Sequence, residues 1–366
     1  MESIGYLYII LLIIGSLLVN NKISKGLRIV LIGNIVITMS VFMGLRYRVG
    51  LDSINYLNGY ENLPLFSEFL DLNIFHLKYE PGFLLLTWIC KAISPEFYIF
   101  QCVQSIILNT SVAIFIYKYT KNPFWGLLFY SYLIWPYFNT EILRESLAIS
   151  IFLLNYTNLC RNKYLRYYLF SILSICFHYS AIILLLFPLV KYIKLNRYYA
   201  MACIGILFAL PLVNIISSHL PVSSISSRII LYSVVAENLN LNWRIAALIK
   251  YMSVPLCTLF VYYAVKINSE YTKWILLQLL FCFGIFAIPI IFVRMTNYTV
   301  MFVVLYAANI MSMARIKCIC KLSVITVMLL SQIHYYYNMY SAWIPYSSVF
   351  TKEKSVEREI LWRQSF

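Results

Sequence analysis

Apolar runs about 20 residues long recur along the whole chain, and a helix needs about that many apolar residues to cross a bilayer core. Short basic clusters separate the runs. This alternation leaves little room for any other fold. Of the 366 residues, 62% are hydrophobic and only 12% are charged, whereas a soluble domain is about half apolar and a quarter charged. The expected fold is all-α: a polytopic integral membrane protein with about ten full transmembrane helices. No polar stretch is long enough for a separate soluble domain, so residues 1–366 read as a single membrane domain. The first run, Ile4 to Val19, has no basic stretch before it and no small-x-small cleavage site after it. It reads as a retained span.

The net charge is +15. On a soluble chain that would suggest nucleic acid. Here it follows from the excess of Lys and Arg in cytoplasmic loops, and no nucleic acid is expected. The clusters are Lys22/Lys25/Arg28, Lys118/Lys121, Arg161/Lys163/Arg166, Lys191/Lys194/Arg197, Lys266/Lys273 and Arg315/Lys317/Lys321. If all are cytoplasmic, residues 46–80 and 217–244 form outer loops, and 338–366 form an outer C-terminal tail. Two runs then fail as simple spans. Pro81–Ile93 is short and contains Lys91; Leu165–Ile193 is basic at both ends. The first is expected as a short re-entrant or half-inserted helix and the second as a broken hairpin turning near His178. Non-helical backbone at membrane depth is tolerated only inside protein or beside a wet cavity, so both irregularities point to a site.

The nine cysteines form no C-x-x-C pair. They suggest neither a disulfide framework nor a zinc site. No phosphate-binding loop, G-x-S-x-G or H-E-x-x-H is present, which disfavours ATP chemistry and zinc hydrolysis. No metal and no cofactor is expected.

The charges that remain gather in a few motifs. "NTEILRESLAIS", Asn139 to Ser150, puts Glu141, Arg144 and Glu145 where a helix should start. Asn139 or Thr140 would cap it, with Glu141 in its first turn. The plain reading is an interfacial Glu141–Arg144 pair worth about 0.2–0.5 kcal/mol. The sharper reading has Arg144 facing a wet cavity and binding an anion, since ionisable residues within spans mark function. "GLRYRVGLD" supplies Arg46, Arg48 and Asp52; paired guanidiniums suit a phosphate or diphosphate, unless they only snorkel. "YEPGF" places Glu80 before Pro81 and Gly82, a suitable start for a helix. Glu80 is then the best carboxylate for general-base work, or simply a capping group. His178, in "CFHYSA", is either a packed core residue or a proton shuttle. Arg294, in "FVRMTNYTV" near Tyr298, could complete an arginine cluster.

The ordered set "RYRVGLD…Y", "YEPGF", "N…LRESLA" and "FHYSA" resembles the EpsG/Wzy-like family of polysaccharide polymerases. The similarity runs from about residue 45 to 190 and reaches weakly to "WIPYSSVF". Residue by residue, the resemblance points to Arg46, Gly50, Asp52, Glu80, Pro81, Gly82, Arg144, His178 and Ser180. The family usually has Gln after the arginine that matches Arg144; here Glu145 stands there. The resemblance implies glycosyl transfer at the outer face of the bacterial inner membrane. An undecaprenyl-diphosphate-linked oligosaccharide would be polymerised into O-antigen, capsule or exopolysaccharide, alongside a flippase and a chain-length regulator. On this reading Arg46, Arg48, Arg144 and Arg294 bind diphosphate. Glu80, His178 and Asp52 are the candidates for acid–base work. Gly50, Pro81, Gly82, Glu141, Glu145, Ser180 and Tyr298 support them. The alternatives are a flippase for a lipid-linked oligosaccharide, which would need polar residues through both leaflets, and an O-antigen ligase or membrane acyltransferase.

Overall fold

The computed structural model describes residues 4–20, 23–63, 79–207, 241–265 and 271–364. The expected outer loop at 217–244 lies almost wholly outside this set, as do residues 64–78 of the loop expected at 46–80. Among the described residues the chain is helical. The only β pairing among them is an isolated antiparallel bridge between Arg46 and Ser348.

The helices are α1 (Ile4–Val19), α2 (Lys25–Gly44), α3 (Leu51–Glu61), α4 (Pro81–Ile93), α5 (Phe97–Tyr119), α6 (Pro123–Leu133), α7 (Trp135–Thr140), α8 (Leu143–Cys160) and α9 (Tyr164–Ile175). A 3-10 run, Tyr179–Tyr192, follows. Then come α10 (Arg197–Leu207), α11 (Leu241–Val265), α12 (Thr272–Ala287), α13 (Pro289–Ser312), α14 (Cys318–Trp343) and α15 (Val356–Gln364).

Among the described residues, five helices are long and apolar enough to cross a membrane: α2, α5, α13, α14 and the part of α11 from Arg244. The expected count of about ten full spans is not reached by these long helices alone. Other apolar helices are shorter, including Gly5–Val19, Pro81–Ile93, Tyr179–Tyr192 and Thr272–Phe286. Two causes are visible. The stretch from Pro123 to Thr140 breaks into α6 and α7, with Pro136 in the first turn of α7. The other is polarity: α8 is long enough but carries Arg144, Glu145, Asn155 and Asn158.

The chain forms two compact units, Met1–Leu185 with Asn338–Phe366, and Leu186–Tyr337. In the first, α5 is central, packing on α2, α4 and α8, while α9 packs on α8. Polar side chains cross these interfaces. Asn109 donates to Ser40 Oγ at 3.2 Å and accepts from the Tyr130 hydroxyl at 2.9 Å; Gln104 donates to Ser146 Oγ at 2.8 Å. Such bonds, with small residues that allow close approach, hold helices together where lipid gives no hydrophobic drive. In the second unit α12 packs on α10, α11 and α13.

Both expected irregularities are present. The first is the short helix α4. The second is the break after α9, where regular helix ends at Ile175 and the 3-10 run begins at Tyr179. The two limbs lie side by side, with the Tyr167 hydroxyl donating to the Leu184 carbonyl at 2.7 Å. The break also meets the start of α4. Gly82 N–H donates to the Cys176 carbonyl at 2.8 Å, and a Cβ on Gly82 would lie 2.9 Å from that oxygen. Glycine is required by this backbone contact.

Helix α3 is held at both ends by opposite charges. At its start, Glu141 Oε2 accepts from Asp52 N–H at 3.1 Å. At its end, Lys91 Nζ donates to the carbonyls of Tyr60, Glu61 and Leu63 at 3.0, 3.3 and 2.5 Å. An anion at the N-terminus and a cation at the C-terminus both oppose the helix dipole. The lysine that looked misplaced in an apolar run is thus a helix cap.

Candidate functional site

The site is built where α3, α4, α8 and the α9 break converge. Arg144, in the first turn of α8, donates from Nη1 to Glu80 Oε2 at 2.7 Å. The Glu80 side chain is 2% exposed and that of Arg144 21%. Arg144 Nε reaches the Tyr56 hydroxyl at 3.3 Å. The guanidinium lies 5.8 Å from the Tyr56 ring centroid and 5.1 Å from that of Tyr79. Cations over aromatic faces are attracted by the ring quadrupole. Among the described residues Nη2 makes no hydrogen bond, and it is not buried. Nη1 and Nε are therefore held by protein, and Nη2, which both edges of the fork share, is the remaining donor.

Glu80 immediately precedes α4, as its N-cap, without a side-chain capping bond. Its Oε1 is 3.5 Å from Tyr179 N–H, across the α9 break. Asp52 is exposed in the first turn of α3, one helical turn before Tyr56 and so on the same face. Burial holds the Tyr79 hydroxyl above its usual pKa. Arg144 opposes this, and Glu80 and Asp52 add to it.

His178 is buried in the break. Its Nδ1 lies 2.6 Å from Ser180 Oγ and accepts Ser180 N–H at 3.2 Å. An Nδ1 that accepts a backbone N–H puts the proton of the neutral ring on Nε2.

Other residues singled out from the sequence hold the frame. Glu141 does not pair with Arg144. Its Oε1 accepts from Thr140 Oγ1 at 3.0 Å and from the Trp343 indole at 3.1 Å, in addition to its bond to α3. The expected helix start is also displaced. Asn139 and Thr140 close α7, bonding back to the carbonyls of Trp135 and Pro136 at 2.8 Å, and α8 begins at Leu143. Glu141 falls between the two helices, so the one-turn geometry that would join it to Arg144 is lost. Glu145 is buried in the first turn of α8. Pro81 occupies the first position of α4. Gly50 has φ +92°, and a Cβ there would lie 2.5 Å from Thr140 Cβ and 2.9 Å from Glu141 Oε1.

Arg46 is 1% exposed. It donates to the Met43 carbonyl and to Ser53 Oγ, the latter at 3.2 Å, while its Nε is buried without a partner. Burial lowers its pKa to about 10, still far above neutral, so the guanidinium stays charged. Arg48, at φ +53°, forms a two-bond pair with Glu359, Nε to Oε1 and Nη2 to Oε2, both 2.6 Å. The donors a diphosphate would use are taken by α15. Arg294 and Tyr298 belong to the second unit, four residues apart on α13, with Tyr298 buried and Arg294 partly exposed.

Sequence reading gave no role to Tyr56, Tyr79, Trp343, Glu359 or Trp362. For the tyrosines a signal was present: both lie within the quoted motifs, Tyr56 four residues after Asp52 and Tyr79 beside Glu80. The last three had none, because their partners are about 200 to 300 residues away in the chain.

Among the described residues, no group of three or more His, Cys, Asp or Glu side chains is arranged to hold a metal ion. Fold and site define a multi-pass helical membrane protein with an arginine–carboxylate pair set between tyrosine rings. The model of the EpsG family matches residues 29–348, nearly the whole chain, and the chain belongs to that family. Membership suggests a role of polysaccharide-polymerase or glycosyltransferase type, as the sequence resemblance implied. No curated protein and no solved structure matches the chain.

Proposed function

We propose that this protein polymerises oligosaccharide repeat units carried on undecaprenyl diphosphate, at the outer face of the bacterial inner membrane. The observation that carries the reading is Arg144, held through Nη1 by buried Glu80 and through Nε by the Tyr56 hydroxyl, flanked by the rings of Tyr56 and Tyr79, with Nη2 as its remaining donor. A planar fork held this way suits a phosphate oxygen. The lipid diphosphate is the leaving group. Charge that develops on it as the glycosidic bond breaks is stabilised by a preorganised cation. Such a leaving group needs neither a metal nor a nucleotide sugar.

Glu80 is better placed to orient Arg144 than to take a proton, since one oxygen is bound to that arginine and the side chain is buried. We assign the acceptor-hydroxyl proton to Asp52, the exposed carboxylate one helical turn before Tyr56. His178, as the Nε2–H tautomer, is a donor to a sugar oxygen. Arg46 and Arg48 shape the frame of the site instead of binding phosphate. The shorter apolar helices join the five long ones to give about ten crossings. A flippase delivers the substrate and a chain-length regulator limits the product.

The test separates polymerisation from transport. Cells carrying Asp52→Asn, Glu80→Gln or His178→Ala are expected to show single lipid-linked repeat units on the outer face and no ladder of longer chains. Units confined to the cytoplasmic leaflet would shift the assignment to a flippase. A normal ladder in all three would end the site assignment.

A further inference from the structure

The C-terminal residues, expected as a tail, are bound along the segment that leads into α3. Tyr47 N–H donates to the Ser347 carbonyl at 2.8 Å, Gly50 N–H to Ala342 at 2.9 Å, and Val349 N–H to Leu45 at 2.9 Å. Arg358, 1% exposed, donates to three carbonyls: Arg48 at 2.9 Å, Pro345 at 2.6 Å and Ser341 at 3.3 Å. One side chain thereby ties the loop before α3, the chain after α14 and α14 itself. Beyond it, Glu359 takes the fork of Arg48, and the Trp362 indole donates to Asn55 Oδ1 at 2.9 Å. Asn55 is the neighbour of Tyr56 on α3.

We propose that α15 is a positioning element of the reaction: Trp362 and Glu359 set the placement of α3, and so hold the Tyr56 hydroxyl against Arg144. A buried arginine and a partly buried indole, their donors spent on carbonyls and an amide, make poor sense in a passive tail. They fix a short helix that carries Tyr56 and Asp52. Charged groups tie α3 at its two ends, through Glu141 and Lys91, and the Trp362 indole adds a bond to Asn55 between them. The inference rests on the reading of Arg144 above for what the positioned group does, and not for the positioning itself.

Two measurements on the full chain in nanodiscs test it. In the first, 3-fluorotyrosine at position 56 reports its contact with Arg144 by ¹⁹F NMR, with Arg144→Lys marking the signal of the broken contact. Trp362→Phe, which keeps a ring and removes the donor, and Glu359→Gln are expected to move the signal toward that position. An unmoved signal overturns the proposal. In the second, farnesyl diphosphate serves as a soluble prenyl diphosphate probe. Tyr56→Phe is expected to weaken its binding about fivefold, as loss of one hydrogen bond does. Trp362→Phe should weaken it by a similar factor. The double variant should be no weaker than Tyr56→Phe alone, because both changes remove one interaction. Effects that multiply would overturn the positioning role. Failure of the unaltered protein to bind the probe would count against the diphosphate reading, leaving the ¹⁹F signal to decide the positioning. Where Trp362→Phe does not accumulate, Asn55→Ala removes the same bond from the other side.

Discussion

Arg144 and Glu80, 64 residues apart in sequence, meet at 2.7 Å between α8 and the start of α4. The pair is asymmetric. Glu80 is almost fully enclosed, while Arg144 keeps part of its side chain in the open. Removing either partner of a buried pair strands a charge and costs about 3–5 kcal/mol, so truncations here confuse folding with function. Conservative changes are more informative.

Arg144→Lys is such a change. Lysine keeps the charge but has no planar fork, so it cannot hold Glu80 and Tyr56 together and still offer an outward donor. We expect normal amounts of inserted protein and near-complete loss of long polymer, read by immunoblot of the tagged protein and by gel analysis of the glycan. Polymer of normal length and amount would show that only the charge matters.

Gly50→Ala tests the frame. The backbone there lies at φ +92°, and the added methyl would meet Thr140 and the Glu141 carboxylate. Strain of this kind costs about 1–3 kcal/mol. Displacing Glu141 also frees Asp52 N–H at the start of α3. The midpoint of thermal unfolding in detergent should fall by several degrees, with polymer output reduced more than protein level. An unchanged midpoint would show that the 49–51 segment adjusts without strain.

The Arg48–Glu359 pair gives a pH dependence. The hydrogen bonds from Arg48 hold the Glu359 carboxyl below its usual pKa and raise that of Arg48. A carboxylate with a depressed folded-state pKa stabilises the folded form above its ordinary titration range, and that contribution is lost as pH falls through the depressed value. Docking of α15 should therefore be intact at neutral pH and weaken below the ordinary carboxylate range. Amide exchange over residues 356–364, followed from pH 6 to pH 3 and corrected for intrinsic rates, should rise in the acid limb. Glu359→Gln should show the raised exchange at every pH. Parallel curves for both proteins would remove the pair from the account of docking.

Much of the architecture was legible in the sequence because hydropathy and chain stiffness are local. Runs of apolar residues dictate helices in a bilayer, and a Pro-Gly start with an internal lysine marked α4 as irregular before its packing was known. The break near His178 was visible for the same reason, since basic residues at both ends of one run forbid a simple span. The length of individual helices was less legible, because a proline in the middle of a run divides it into two shorter helices, as at Pro136.

Partner choice was not legible, because side-chain contacts depend on which helices pack together. Sequence spacing offered Glu141 to Arg144, and the break between α7 and α8 removed that geometry. It offered Arg46 and Arg48 to a ligand, and residues about 300 positions later took up Arg48. The sequence by itself determined a helical membrane protein, its irregular segments and the short list of charged residues worth attention. Only the tertiary structure decided that Glu80 holds Arg144, that two tyrosines flank it and that the C-terminal helix grips α3. Burial of a charge forces it to find a partner, and which partner lies within about 3 Å is settled by packing.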